Sequence, residues 1–181
     1  MGIYLDLQKA FDTVNHSVLL KKLENYEIRG MVLIGSKVFL IIYKKQRTSL
    51  LTYMSDLESV KYDVPQGSVL GPLLFLIYVN DKQYVVKNSK IKLFADDTNL
   101  FLYNTDVDKL FEIANMNMSQ LSDWFTVNRL NLNLDKTCYS TFHTNYVDLN
   151  KFKLYMDGKE IQRWGYWHHR ADERHGNPPP R

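Results

Sequence analysis

Apolar and polar positions along the chain change period several times, and each change marks an element. Ile3-Tyr4-Leu5 is a short strand-like run. After the polar stretch from Asp6 to Asp12, Asn15 or His16 can cap a helix running to about Tyr26, with Leu19, Leu20 and Leu23 at core spacing. Gly30 ends this unit. Met31 to Tyr43 is apolar over a helical length, although its β-branched residues weaken the helix preference, and Lys44-Lys45-Gln46-Arg47 closes it. From Thr48 to Val64 the alternation is strand-like on both sides of a turn near Ser55-Asp56, which predicts a hairpin. Gly67 or Ser68 then starts a helix with Pro72 in its first turn, where a missing N–H costs little. That helix is apolar nearly all round through Tyr78, which predicts burial.

Lys90 to Leu93 and Thr98 to Tyr103 flank Phe94-Ala95-Asp96-Asp97 and predict a hairpin whose tight turn carries the two acids. Asp106 to Asn128 is the longest predicted helix, with Leu110, Ala114, Asn117, Leu121, Trp124 and Phe125 on one stripe. Asn131 to Thr137 is polar and turn-rich, Tyr139 to Phe142 reads as a strand, and Phe152 to Ile161 as a hairpin about Asp157-Gly158, a pair suited to a type I′ turn. Beyond Ile161 the pattern has no period and the chain ends near three prolines, so disorder is expected for residues 162–181 and a folded domain for residues 1–161. Strands and helices in this order make an α+β protein.

Composition narrows this only slightly. A chain of 181 residues, 45% hydrophobic and 24% charged, is ordinary for one globular domain. No apolar run approaches the roughly 20 residues that span a bilayer, and nothing argues for a secretory leader, so no membrane partner is expected. Cys138 is the single cysteine, which excludes a disulfide within the chain and fits a reducing compartment. The net charge of +3 owes two units to residues 163–181, so contact with polyanions must come from local clusters such as Lys44, Lys45 and Arg47, or Lys87, Lys90 and Lys92, or else these are solvated faces.

The Asp96-Asp97 pair is not informative alone, because 14 Asp in 181 residues supply about one such pair by chance. Asp is nonetheless a poor strand residue, and Asp6 also stands at a strand end. If the two strands are neighbours, these carboxylates can share an ion across 90 residues of sequence. Two carboxylates about 4 Å apart repel by about 4 kcal/mol at an effective dielectric near 20, and a divalent cation reverses that sign. Hard oxygen ligands with no nearby His or Cys favour Mg²⁺, or Mn²⁺, over zinc.

Four strings carry a resemblance. Asp6-Leu7-Gln8-Lys9-Ala10-Phe11-Asp12, Pro65-Gln66-Gly67-Ser68 continuing to Phe75, Phe94-Ala95-Asp96-Asp97, and Asn133-Leu134-Asp135-Lys136-Thr137 resemble four successive palm motifs of reverse transcriptases in residues, order and spacing. The Lys-Ala-Phe-Asp run with Val14-Asn15-His16 is most similar to non-LTR retrotransposon enzymes of the jockey type, with group II intron and telomerase-like polymerases as alternatives within the same chemistry. The likeness covers residues 3–161.

The resemblance implies a right-hand palm, an antiparallel sheet packed on helices, lacking most of the fingers and thumb. It implies RNA-directed DNA synthesis with two Mg²⁺ ions, Mn²⁺ being possible, an RNA template, a DNA primer and deoxynucleoside triphosphates, inside the cell in cytoplasm or nucleus. Asp6 and Asp96 match the acids that bridge both ions, Asp97 the supporting acid, and the Leu7 carbonyl a further metal ligand. Phe11 matches the bulky gate against a ribose 2′-hydroxyl, or is ordinary core. Gln66 and Gly67 match the platform under the nucleotide. Lys136 matches the lysine that protonates pyrophosphate, or is a solvated turn residue. Asp12, Asn15 and His16 read as capping and hydrogen-bonding groups. The competing expectation is a catalytically inactive remnant of a transposable element, at most binding nucleic acid weakly.

Overall fold

A computed structural model describes residues 1–42, 45–46, 49–50, 53–56, 58–59, 62–64, 67–143 and 148–168. Its elements in chain order are β1 (Gly2–Leu5), α1 (His16–Asn25), α2 (Gly30–Ile42), β2 (Lys45–Gln46), β3 (Ser49–Leu50), β4 (Tyr53–Met54), β5 (Glu58–Ser59), α3 (Leu70–Val79), a 3₁₀ turn (Asn80–Tyr84), β6 (Lys90–Phe94), β7 (Asp97–Phe101), α4 (Val107–Val127), β8 (Cys138–His143), β9 (Tyr155–Met156), β10 (Lys159–Glu160) and β11 (Gln162–His168). The class is α+β, as expected. The chain divides into two units. One comprises residues 1–6, 85–122 and 132–181, the other residues 7–84 and 123–131.

The first unit is built on a five-stranded sheet of order β11-β8-β1-β7-β6. β1 lies in its middle and pairs antiparallel with both β7 and β8. Ile3 and Leu5 are therefore fully buried, opposite Leu100 and Thr98 of β7. The first part of α4 packs on this face: Phe111 meets the ring of Tyr139 edge-on at 5.9 Å and stacks on Phe152 at 4.9 Å. Two polar residues of α4 act as backbone clamps. Asn117, fully buried, exchanges two 3.0 Å hydrogen bonds with the backbone of Lys87 ahead of β6. Asn115 donates to the Lys153 carbonyl and accepts from the Tyr155 N–H, fixing the start of β9. The β9–β10 hairpin turns through Asp157 (φ +52°) and Gly158 (φ +74°), the two left-handed residues of a type I′ turn.

Two expectations change here. The sheet is mixed rather than antiparallel, because β11 runs parallel to β8. Disorder also does not hold over Gln162–His168, which form β11 itself. Ladder pairing and the 2.8 Å bond from the Ser140 hydroxyl to the Trp164 carbonyl hold this strand. Its register shift between Arg163 and Tyr166 breaks the alternation that would have revealed it in sequence. Residues 169–181 lie outside the described residues.

In the second unit, Asn15 caps α1: its Oδ1 accepts from the N–H groups of Ser17 and Val18, both at 3.1 Å. Leu19 and Leu23 are buried while Leu20 is half-buried. α3 begins at Leu70, with Pro72 in its first turn and the Ser68 hydroxyl accepting from the Gly71 N–H at 3.0 Å. It buries Leu74, Phe75, Tyr78 and Val79 but leaves Leu70, Leu73 and Leu76 exposed, so the expected all-round burial does not occur. A helix packed on one side covers only one stripe, whatever the rest of its surface. The predicted hairpin is present as the antiparallel β2–β5 and β3–β4 pairs; Leu50 pairs with Tyr53, so Ser55 and Asp56 follow β4 and do not form its turn.

Tyr78 joins three elements of this unit. Its buried hydroxyl donates to the Asn128 carbonyl at 2.5 Å and accepts from the Asn15 N–H at 3.4 Å. The Lys22 ammonium donates to the Tyr78 carbonyl at 2.6 Å and to Asp81 at 2.7 Å, over the rings of Tyr78 and Trp124. Burial lowers the pKa of that ammonium, against the pull of Asp81.

Tyr78→Phe leaves the Asn128 carbonyl and Asn15 N–H without their buried partner, and is expected to cost about 1–3 kcal/mol in urea unfolding. Ile3→Ala opens a cavity under the central strand; a loss of about 2–5 kcal/mol is expected, seen as a lower urea midpoint with unchanged slope.

Candidate active site

The register of β1 against β7 assembles the acids. Leu5 faces Thr98 in the last ladder pair, so the next residues along, Asp6 and Asp97, stand across from one another. On its other side Asp97 pairs with Phe94 of β6, which leaves Ala95 and Asp96 as a two-residue turn. Ala95 takes φ +53°, a left-handed conformation that a residue with a Cβ holds only at a cost on the order of 1 kcal/mol. Asp96 is half-buried and Asp97 exposed.

Asp6 is held through its backbone. Its carbonyl accepts from the Asn133 N–H at 2.8 Å, and its N–H donates to Thr137 Oγ1 at 3.5 Å. Thr137, fully buried, donates that hydroxyl to the Asn133 carbonyl at 2.9 Å, which also accepts from the N–H groups of Lys136 and Thr137. The turn carrying the exposed Lys136 is thereby fastened to the residue carrying the first acid. Asn133 and Thr137 have no part in the sequence-derived site. The available signal was their small polar side chains inside a turn, where such residues bond to backbone. The neighbouring Asp135 pairs with Lys159 at 2.6 Å, which lowers its carboxyl pKa.

Electrostatics distinguishes Asp97. Its pKa is raised, first by burial and then by the negative charges of Asp96 and Asp6. Asp97 thus lies in the field of both other acids. Among the described residues, no group of three His, Cys, Asp or Glu side chains is arranged to hold a metal ion.

Leu7, Phe11 and Gly67 belong to the second unit. Leu7 is buried. Phe11 is half-buried and stacks on Phe75 of α3 with ring centroids 4.5 Å apart. Within the same unit the returning arm after β5 is bonded to the turn containing Phe11: Val64 N–H donates to the Phe11 carbonyl at 3.1 Å, Asp63 N–H to the Val14 carbonyl at 3.1 Å, and His16 Nε2 to the Asp63 carbonyl at 2.6 Å. Asn15 and His16 thus cap and brace, as their residue types suggested. Gly67 has φ +79° and nothing within 4 Å of where a Cβ would stand, so its glycine is required by backbone conformation in open space. Gln66 lies outside the described residues.

Residues 1–168 match the family model described as reverse transcriptase (RNA-dependent DNA polymerase). Among curated proteins, the RNA-directed DNA polymerase from mobile element jockey of Drosophila melanogaster is 32% identical over 110 residues, 54% of this chain and 11% of that protein. Its namesake from Drosophila funebris is 29% identical over 156 residues, 80% of this chain and 16% of that protein. The putative COX1/OXI3 intron 1 protein of Saccharomyces cerevisiae (strain ATCC 204508 / S288c) is 32% identical over 73 residues, 40% of this chain and 8% of that protein. The chain thus spans at most 16% of the length of these relatives. With nearly its whole length matched by the family model, the chain belongs to the reverse transcriptase family of RNA-directed DNA polymerases.

Proposed function

We propose that residues 1–161, with β11 completing the sheet, are the palm of a non-LTR retrotransposon reverse transcriptase, and that the chain contributes the acids for transfer of deoxynucleotides onto the 3′-hydroxyl of a DNA primer, with RNA as the template. The observation that carries this reading is the strand register that brings Asp6, Asp96 and Asp97 to one end of β1, β6 and β7, with Asp97 raised in pKa by burial and then by the charges of the other two acids. Their hard oxygen donors fit Mg²⁺, or Mn²⁺, and Asp6, Asp96 and Asp97 with the Leu7 carbonyl are the groups that would hold two ions. When bound, such ions stabilise charge on phosphoryl oxygens and lower the pKa of a coordinated hydroxyl.

The chain's own residues do the positioning. Asp6 is fixed by the backbone bonds to Asn133 and Thr137, and Asp96 by a two-residue turn, so neither acid depends on a flexible loop. Fixed donors avoid reorganisation during reaction, which is where polymerases of this chemistry gain most of their rate. Lys136, on the turn bonded to Asp6, is assigned to the leaving pyrophosphate as proton donor. Phe11, its ring stiffened by stacking on Phe75, is assigned to exclusion of a ribose 2′-hydroxyl. Gln66 and Gly67 are assigned to the nucleotide platform.

The alternative reading is a catalytically inactive remnant of a transposable element that at most binds nucleic acid. Primer extension on poly(rA)·oligo(dT) with Mg²⁺ separates the two. The polymerase reading expects dTTP incorporation that falls at least a hundredfold in Asp96→Asn; no incorporation, or equal incorporation by both proteins, would establish the remnant instead.

Thermal unfolding tests the acids without catalysis. Because the pKa of Asp97 is raised on folding, its stabilising contribution is complete below the unfolded carboxyl value and is lost as pH rises through the folded one. Asp97→Asn should therefore melt higher than wild type at pH 7, with the gap closing as the pH falls toward 4. At pH 7 millimolar MgCl₂ should raise the melting temperature of wild type and leave Asp96→Asn and Asp97→Asn almost unchanged.

A further inference from the structure

Two energetic costs meet at one point in the second unit. Asp63 takes φ +94°, a left-handed conformation that a side chain makes unfavourable and that persists only where its neighbours impose it. His16 is buried, and its Nδ1 has no hydrogen-bond partner among the described residues, so that atom has given up hydration without replacement. The two residues are joined, because His16 Nε2 donates to the Asp63 carbonyl at 2.6 Å. A carbonyl only accepts, so this bond assigns the proton to Nε2 and leaves a bare lone pair on Nδ1. An apolar side chain would fill the same space without an orphaned atom. The histidine is therefore explained by the bond from Nε2 and not by packing.

What the bond holds is the arm after β5. Tyr62 bridges Asn15, Asp63 N–H donates to the Val14 carbonyl, and Val64 N–H donates to the Phe11 carbonyl, so three consecutive residues of the arm are tied to the turn carrying Phe11. Those ties run between backbones and would suit many sequences; His16 adds a side-chain bond in their midst. It fixes the left-handed residue next to Val64, the backbone partner of Phe11, a few residues ahead of Gly67. Stacking on Phe75 limits the tilt of the Phe11 ring, whereas the arm limits the shift of its backbone. Both matter for a steric gate, because a misplacement of about 1 Å is enough to change a rate severely. We propose that His16 is a positioning residue for sugar selection: its Nε2 latches Asp63 in the left-handed conformation, and the latched arm holds Phe11 where its ring excludes a ribose 2′-hydroxyl. This rests on the polymerase reading and on the role given there to Phe11, and deepens it by naming a residue that acts through Phe11.

The test makes two measurements on the full chain. Amide exchange followed by NMR reads the latch without catalysis. Loss of one hydrogen bond should speed exchange of the Asp63 and Val64 amides about tenfold in His16→Ala. The amides of Leu74 to Val79 in α3 should exchange as in wild type, which shows that the unit is folded. His16→Gln brings its amide nitrogen to where Nε2 stands and should restore protection; His16→Asn brings it to where Nδ1 stands and should not. Primer extension on poly(rA)·oligo(dT) with dTTP or UTP then reads selection. The dTTP-to-UTP ratio of kcat/KM should fall roughly tenfold in His16→Ala and recover in His16→Gln. It should fall no further in His16→Ala with Phe11→Ala than in Phe11→Ala alone, since two residues acting as one unit are not additive. Unchanged exchange at Asp63 and Val64, or rescue by Asn and not by Gln, would overturn the latch. An unchanged ratio in a His16→Ala chain that still extends the primer would overturn the selectivity role alone. No incorporation of either nucleotide by wild type would overturn the polymerase reading, and the selectivity role with it, while exchange still decides the latch.

Discussion

β1 is the constraint on which the first unit depends. It is four residues long, yet it is hydrogen-bonded on both sides and its inward residues are fully buried. Side-chain direction alternates with a period of two, so a slip of one residue against β7 would turn Ile3 and Leu5 outward and carry Asp6 away from Asp97. The cost of exposing two large apolar residues is therefore what holds the acids in register.

Repulsion among these acids is a permanent load on the site, and the structure meets it with backbone bonds. Asp6 is held by Asn133 and Thr137, not through its carboxylate. Asp96 sits in a turn too short to relax, entered through the left-handed Ala95. Among the described residues no hydrogen bond or ion pair commits the carboxylates of Asp6, Asp96 and Asp97, while the chain carrying them is fixed.

In the second unit the polar interior takes the same role. Tyr78 and Lys22 are both buried, and each satisfies its polar atoms on carbonyls or an acid of the same unit while its apolar body packs. Phe11 rests on Phe75, and the arm leading toward Gly67 is bonded to the turn that holds Phe11. The exposed apolar stripe of α3 follows from this one-sided packing.

Local chemistry sufficed for much of this. Alternation and turn residues located the β6–β7 hairpin with its acids, Asn15 announced the α1 cap, Asp157-Gly158 the type I′ turn, and Pro72 the start of α3, because each depends on one residue's own conformational preference or on a short-range period. The family, too, was legible, since its four strings are contiguous in sequence. Tertiary structure decided what depends on distant partners. These include the pairing that sets Asp6 across from Asp97, the clamp of Asn133 and Thr137 on Asp6, the parallel β11 hidden by its register shift, and the exposure of half of an apolar helix. A hydrogen bond from a backbone N–H to a hydroxyl 131 residues away leaves no periodic trace, and burial is a property of neighbours; neither is written in any window of sequence short enough to read.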